Sequence, residues 1–489
     1  MKKYYFFFGE GSKINQLLCA ISINFLLFCY GSSIGWMSPM TLLLQSADSP
    51  RGTPLTITEV SWMASISYLV SMVFEFVVAY MGEAFGRKIC VIFLSLCSAV
   101  CWILKLSSME TWAFILARAM VGITMAGVYV ICPLYTKEIS EDSIRGFLGT
   151  LLIFFQTSGN LFLYVIGDIL SYNTILWICL AMPTAHILLI MLMPESPSYL
   201  LKKGKTEEAL KVIAWLRCRA EDDASLKQEL DKIVKEQKSD EDSSQFALKA
   251  ILQDKILFRA FKIAVLVSLA RELCGALPVL NFAGEIFSLS AEGGGIVMLT
   301  PNQQAMLLGA VQVCGAMLGS SVVELVGRKP LFIITALISG LSMCLLASWF
   351  LTRELGVALP AWVPVASLCL TIFCDSSGIQ PVSVVIISEM FSYKYRGTVM
   401  ATSMTIASLA AFLQMLFFKP LANAIGIHLS FYFFGAVCLV AAVYVFLVFP
   451  ETKLRSVEQI QYDLKTKKEK KKELERMEEI EKKMCSVEM

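Results

Sequence analysis

Acidic and basic residues recur in this chain as matched sets. Glu83-Ala-Phe-Gly86-Arg87-Lys88 returns as Glu324-Leu-Val-Gly327-Arg328-Lys329. Glu138, followed by Arg145-Gly146, returns as Glu389, followed by Arg396-Gly397, and Pro194-Glu195-Ser196 returns as Pro450-Glu451-Thr452. The copies stand about 240 to 256 residues apart, and three ordered matches at nearly constant spacing mark a duplicated unit. Carboxylates and guanidinium groups in such sets form charge-assisted pairs. We expect two clusters, Glu83, Arg87, Glu138, Arg145 and Glu195 in one copy and Glu324, Arg328, Glu389, Arg396 and Glu451 in the other. Pairs between the copies would hold one mouth of the molecule shut and part when it opens. The plainer alternative is turn chemistry, with the glycines serving turns. Bond-making chemistry is not expected: no nucleophile–base pair or phosphate loop stands out. The two histidines, His186 and His428, are too far apart in sequence for a metal-ligand spacing, and no cofactor or metal site is expected.

A second group of polar residues lies inside apolar runs. Glu75, Arg118, Arg271, Glu272 and Asp375 are ionisable residues at membrane depth, where such groups are functional candidates by default. Glu75 is expected to face a bundle interior or to approach Arg118. Arg271 and Glu272 are neighbours, so on a helix they point about 100° apart and need not pair with each other. Ser33, Gln156, Asn281, Gln312, Ser376 and Gln380, with Ser32, Asn160 and Gln414, supply hydroxyls and amides. Such groups suit a neutral polyhydroxylated solute, and must line a cavity because lipid cannot satisfy them. For each of them the alternative is a helix–helix hydrogen bond.

The elements that position these residues follow from hydropathy. The chain has 489 residues, 56% hydrophobic and only 17% charged, with a mean hydropathy of +0.65. A net charge of +2 gives no case for nucleic acid. A helix needs about 20 apolar residues to cross the hydrocarbon of a lipid bilayer. We expect spans near 15–44, 59–81, 88–106, 111–135, 146–170, 173–193, 258–290, 304–326, 330–351, 361–391, 397–420 and 428–449. The first, seventh and tenth are long, which predicts tilt or a broken helix. The architecture is thus an all-α polytopic membrane protein, with six-helix bundles at 1–193 and 258–453, a cytosolic helical insert at 194–257 and a charged tail at 454–489. Lys and Arg concentrate in the short loops on one side, which predicts that both termini and the insert are cytosolic. In the insert, 205–217 carries a helical pattern and 221–244 is charged and expected to be mobile. The tail alternates Lys and Glu, as a solvated helix, a disordered segment or a binder of anionic lipid would. The N-terminal apolar run is too long for a cleavable signal, and Cys485 is one place too early for a prenylation box. Most of the 15 cysteines fall in apolar runs and read as buried free thiols.

The motifs also carry a resemblance. Gly86-Arg87-Lys88 and Gly327-Arg328-Lys329, Arg118-x-x-x-Gly122, Pro133-Leu-Tyr135-Thr-Lys-Glu138-Ile139, Pro194-Glu195-Ser196-Pro197, Glu389-Met-Phe391 and Pro450-Glu451-Thr452-Lys453 together are similar to the sugar-porter family of the major facilitators. Gly31-Ser-Ser-Ile-Gly-Trp-Met-Ser-Pro39 with Ser61-Trp62 resembles its insect trehalose and facilitative glucose transporter branch. The resemblance implies the major-facilitator fold, twelve transmembrane helices in two six-helix bundles, and alternating access around a central site. It implies a facilitative carrier of a small sugar, trehalose or a hexose, in the plasma membrane. Where that family has a Gln-Gln pair on helix seven and then Gly-Ile-Asn, this chain has Arg271-Glu272-Leu-Cys-Gly275-Ala-Leu277. The helix-ten tryptophan is missing from Gly378-Ile-Gln380-Pro381-Val-Ser383-Val384. Family members coupled to protons tend to carry an acid on helix one, where this chain has Ser33, which favours facilitated diffusion. Two other readings stay open: a carrier of a charged organic solute, possibly with proton coupling, and a membrane nutrient sensor that binds without transporting.

Overall fold

The computed structural model describes residues 11–47, 49–141, 143–241, 247–291, 299–357, 360–453, 455 and 457–465. Among them, twelve helical stretches are long and apolar enough to cross a membrane: Ile14–Gln45, Ile57–Ala84, Arg87–Ser107, Thr111–Ile139, Arg145–Ile169, Tyr172–Met191, Lys255–Ser290, Pro301–Val323, Arg328–Glu354, Trp362–Ile387, Tyr395–Ile425 and Ile427–Val448. They are numbered spans 1 to 12 below. The expected spans agree with them to within a few residues. Local chemistry sets several starts. Thr56 and Glu59 form a reciprocal capping box at span 2, and Thr300 and Gln303 form another at span 8, where Pro301 occupies the first turn. Asp254 accepts the Ile256 and Leu257 amides at the start of span 7.

The three long spans are broken ones. Span 1 is two helices, Ile14–Gly35 and Met37–Gln45, meeting at Trp36. Span 7 breaks between Lys255–Leu273 and Ala276–Ala291, where Gly275 has φ +90°, and has a second, non-helical residue at Phe282. Span 10 carries a π-helical turn over Asp375–Ile379, just before Pro381, whose missing N–H cannot continue the ladder. Irregular backbone of this kind is tolerated at membrane depth where protein or a cavity, not lipid, surrounds it.

Packing divides the molecule unevenly. One apolar core, with Cys90, Leu94, Ile131 and Tyr135, belongs wholly to spans 1–6 and the adjoining insert. Another, with Val267, Phe332, Ile386 and Phe449, belongs to spans 7–12, the last helix of the insert (Ile251) and the short helix after the spans. A third joins the halves, bringing Trp36, Met40 and Tyr164 of the first against Phe287, Leu308 and Phe418 of the second. The two separate cores lie toward the insert, and the shared core lies at the opposite end. The halves therefore meet as a V whose arms part on the insert side.

The insert holds helices at Pro197–Lys202, Thr206–Arg217, Ala224–Glu241 and Ala247–Gln253. The expectation of a mobile charged segment at 221–244 is corrected for 224–241, which is helical. Leu226, Leu230 and Ile233 lie on one face and pack against Ile213 and Ala214, and Arg217 pairs with Glu229 at 2.5 Å. The charge that argued for mobility is the solvent face of an amphipathic helix. Of the tail, Val457–Asp463 forms a short helix. Residues 466–489, Cys485 included, lie outside the described residues. The cysteines described are free thiols, most of them buried, with Cys314 exposed.

Candidate functional site

The two duplicated ionic sets occupy equivalent places at the insert-side ends of the halves. Gly86, at φ +103°, turns the chain into span 3, and Glu195 accepts the Arg87 amide at 2.9 Å and the Lys88 amide at 3.1 Å. Its carboxylate thus caps the positive end of span 3. Arg87 reaches back to Glu138 at the end of span 4, 2.9 Å between Nη2 and Oε1, and Ser196 donates to the same carboxylate. The second half repeats this in full. Glu451 accepts the amides of Arg328 and Lys329, each at 3.1 Å, beneath Gly327 at φ +98°. Arg328 pairs with Glu389 at 2.7 Å, and Thr452 donates to Glu389. A Cβ on Gly86 would run into the Glu195 carboxylate, and one on Gly327 would lie 3.0 Å from that of Glu451. Burial pushes the Glu195 carboxyl above the usual range, and the bonds from the Ser196, Lys88 and Arg87 amides pull it back.

These pairs join helices within one half, not the two halves as expected. The reason is the V: on this side the arms are apart. Glu83 pairs with Lys202 of the insert at 3.1 Å. Arg145 and Arg396 each donate, at 3.3 Å, to a carbonyl five residues earlier, those of Ser140 and Phe391. The Glu324 side chain lies outside the described residues.

Between the arms lies a polar cleft. Tyr129, midway along span 4, is 41% exposed, stacks edge-on to Tyr30 of span 1 at 5.8 Å, and donates to Gln156 of span 5 at 3.1 Å. It sits within electrostatic range of Arg271 and Glu272 in the opposite half. Asn160 of span 5 donates to Gln312 of span 8 across the halves at 2.9 Å. Asn281 of span 7 donates to its own helix at Leu277 and stands beside the Tyr68 hydroxyl of span 2. The cleft is closed away from the insert. There Tyr164 donates to the Leu280 carbonyl, and Ser38 accepts the Gly284 amide at 2.9 Å.

The charged candidates fall into three places. Arg271 and Glu272, half-buried beside the Gly275 break, are an ion pair with each other. Adjacency on a helix left their pairing open; both side chains are long enough to converge beyond the backbone. Asp375, in the π turn, receives the Cys274 thiol at 3.6 Å and feels the Arg271 charge. Glu75 does not approach Arg118. It accepts from Ser408 of span 11 at 3.1 Å and from Ser71 at 3.4 Å, bridging the halves on spans 2 and 11. Arg118 is 1% exposed and donates to three neutral oxygens: the Met63 and Ser33 carbonyls, both at 3.0 Å, and the Ser67 hydroxyl at 3.3 Å.

Two expected site residues face helices instead of the cleft. The Ser33 hydroxyl bonds back to the Cys29 carbonyl at 3.1 Å, and Ser376 bonds back to Ile372 while packing against Gly315 of span 8. A hydroxyl four residues beyond a helical carbonyl satisfies itself locally. Gln380, after the π turn, is half-buried. The residues missed by sequence reasoning are the tyrosines 30, 68, 129 and 164. Their one signal was position, since they lie along spans and not only in the interfacial belts where aromatic residues collect.

Twelve spans in two equivalent bundles, with a polar cleft between them that opens at one end, define a multi-pass membrane protein of the major-facilitator fold. The chain belongs to the sugar (and other) transporter family, which it matches over residues 19–464. It is 28% identical over 467 residues to human "Solute carrier family 2, facilitated glucose transporter member 6", covering 90% of this chain and 89% of that one. It is 24% identical over 451 residues to the "Facilitated trehalose transporter Tret1" of Bombyx mori, covering 92% and 86%. Among solved structures it is similar to the inward-open conformation of the xylose transporter XylE from E. coli. That match has a TM-score of 0.73 and 19% identity over 91% of this chain and 98% of that one, and supports the fold.

Proposed function

We propose that this protein is a facilitative carrier of a small sugar, trehalose or a hexose, working by alternating access. Residues 1–193 rock against 258–453 around the cleft, and no bond is made or broken. The observation that carries the reading is the set of amides and phenols contributed from both arms: Tyr129 with Gln156, Asn160 with Gln312, and Tyr68 beside Asn281. Neutral donors and acceptors in the cleft match sugar hydroxyls, and apolar flanks match the ring faces. We assign Gln156, Asn281, Gln312, Gln380 and the Arg271–Glu272 pair to solute contact, with Ser33 and Ser376 shaping spans 1 and 10. The relatives named for glucose and trehalose transport support this solute class. The Lys and Arg bias supports cytosolic termini and a cytosolic insert; on that reading the described state opens inward and its closed end faces outside. The plasma membrane is the location that the family resemblance supports. The test is radiolabelled trehalose and glucose uptake into proteoliposomes, with and without a proton gradient. Saturable flux that only equilibrates supports the reading, and absence of flux for every sugar from inserted protein sinks it.

A second reading, a charged organic solute, is favoured by the carboxylates of Glu272 and Asp375 beside the Arg271 guanidinium, with Glu75 within electrostatic range of Glu272. It predicts uptake of that solute, lost in Arg271→Gln, with no sugar flux.

A further inference from the structure

At the closed end of the cleft one buried cation ties together three helices from both halves. Lys419, near the end of span 11, is 4% exposed. Its ammonium lies 2.7 Å from the Glu285 carboxylate of span 7 and 2.7 Å from the side-chain carbonyl of Gln45, the last residue of the second helix of span 1. It also sits over the Phe282 ring, 5.1 Å from the centroid. Phe282 is the non-helical residue of span 7, and it stacks on Phe418, the neighbour of Lys419, at 5.7 Å. An ammonium withdrawn from water is tolerated only when paired and hydrogen-bonded. Here one partner, Glu285, belongs to the same half and travels with the lysine. The other, Gln45, belongs to the opposite half. The neighbouring links across this end, Tyr164 to the Leu280 carbonyl and the Gly284 amide to Ser38, involve no charge.

We infer that Lys419, Glu285 and Gln45 form a polar latch that holds the outer mouth shut and so favours the inward-open state. The inference rests on the alternating-access reading. Opening the outer mouth separates the two helices that carry Gln45 and Glu285, removes the Gln45 carbonyl from the ammonium, and lets water reach it. A contact made in one state and broken in the other shifts the balance between them by its differential strength. Removing the charge, or its partner across the halves, therefore populates the outward-open state.

The experiment uses the full chain in intact cells with Thr41→Cys as reporter. Thr41 lies on the same short helix as Gln45 and is 1% exposed. Labelling by a membrane-impermeant maleimide is compared with that of the chain lacking this substitution, so that the native cysteines are subtracted. We expect slow labelling of the reporter alone. Lys419→Met and Gln45→Leu should each speed it by about threefold or more, and exchanging the charges (Lys419→Glu with Glu285→Lys) should slow it again. Unchanged rates in both single variants, at surface levels matched by biotinylation, overturn the latch. Glu285→Gln, expected to speed labelling as Lys419→Met does, replaces that variant if it does not reach the membrane. Labelling that appears in every variant only after permeabilisation overturns the assigned orientation instead. Latch-dependent labelling without any sugar flux would count against the proposed solute and leave the latch standing.

Discussion

A guanidinium beside a carboxylate offers a sugar different contacts from a pair of amides. Arg271 supplies donors in a fork and Glu272 supplies acceptors, so together they present both kinds of group to neighbouring hydroxyls. The pair also makes each member depend on the other. In Arg271→Gln the Glu272 charge loses its partner in a half-buried place, and in Glu272→Gln the reverse holds. We expect each single variant to lose uptake of radiolabelled sugar by about tenfold or more, and the double variant to recover much of it, because an orphaned charge costs more than a missing pair. A second test concerns Gln312→Leu. It leaves the Asn160 amide without its acceptor across the halves, a penalty of about 1–3 kcal/mol for a buried donor. Uptake should fall accordingly, and Asn160→Leu in the same chain should add little. At this scale the sequence was informative about residue type and poor about direction. Gln156 and Gln312 are in the cleft, whereas Ser33 and Ser376 turn back on their own helices, a choice made by the nearest free carbonyl.

Among elements, the clearest device is the carboxylate that caps a distant helix. Glu195 and Glu451 each reach the first amides of a span more than a hundred residues earlier in the chain, under a glycine held at positive φ. Gly86→Ala and Gly327→Ala meet two penalties together, a left-handed backbone and a carboxylate already in contact with the new Cβ. A strained backbone site alone costs about 1–3 kcal/mol. We expect both variants to melt several degrees lower in detergent, read by fluorescence-detected size exclusion after heating. Glu195→Ala should melt lower as well, with Glu195→Gln intermediate because it keeps an acceptor oxygen. The motifs were visible as a repeat, but their meeting was not: no local rule says that a Pro-Glu-Ser turn will find a Gly-Arg-Lys turn. The breaks in spans 1, 7 and 10 were legible from length, and Gly275 and Pro381 show where two of them had to fall.

For the whole molecule, the decisive feature is that apolar packing unites the halves at one end only. Such a body can rock to close that other end, which is what a carrier requires. The buried arginine of span 4 bears on coupling. Arg118 spends its donors on two carbonyls and a hydroxyl, and Ser33 offers it a carbonyl where an acid would be needed for a titrating pair. We therefore expect an imposed proton gradient to leave the final internal sugar concentration at equilibrium in proteoliposomes. Accumulation above the external concentration would place the coupling proton elsewhere, with Glu75 as the first residue to substitute.

The sequence by itself determined the number of spans, their ends to within a few residues, the duplication, and the family, because hydrophobic length and short motifs are local quantities. It also marked polar residues inside the spans as candidates, since polar groups are rare at membrane depth and need a reason to be there. Only the tertiary structure decided who meets whom. It paired Arg271 with Glu272, sent Glu75 to span 11 instead of to Arg118, kept the ionic clusters within their halves, and brought Gln45, Glu285 and Lys419 together. These outcomes depend on how two bundles lean against each other, which is set by the sum of many apolar contacts and by no single stretch of chain.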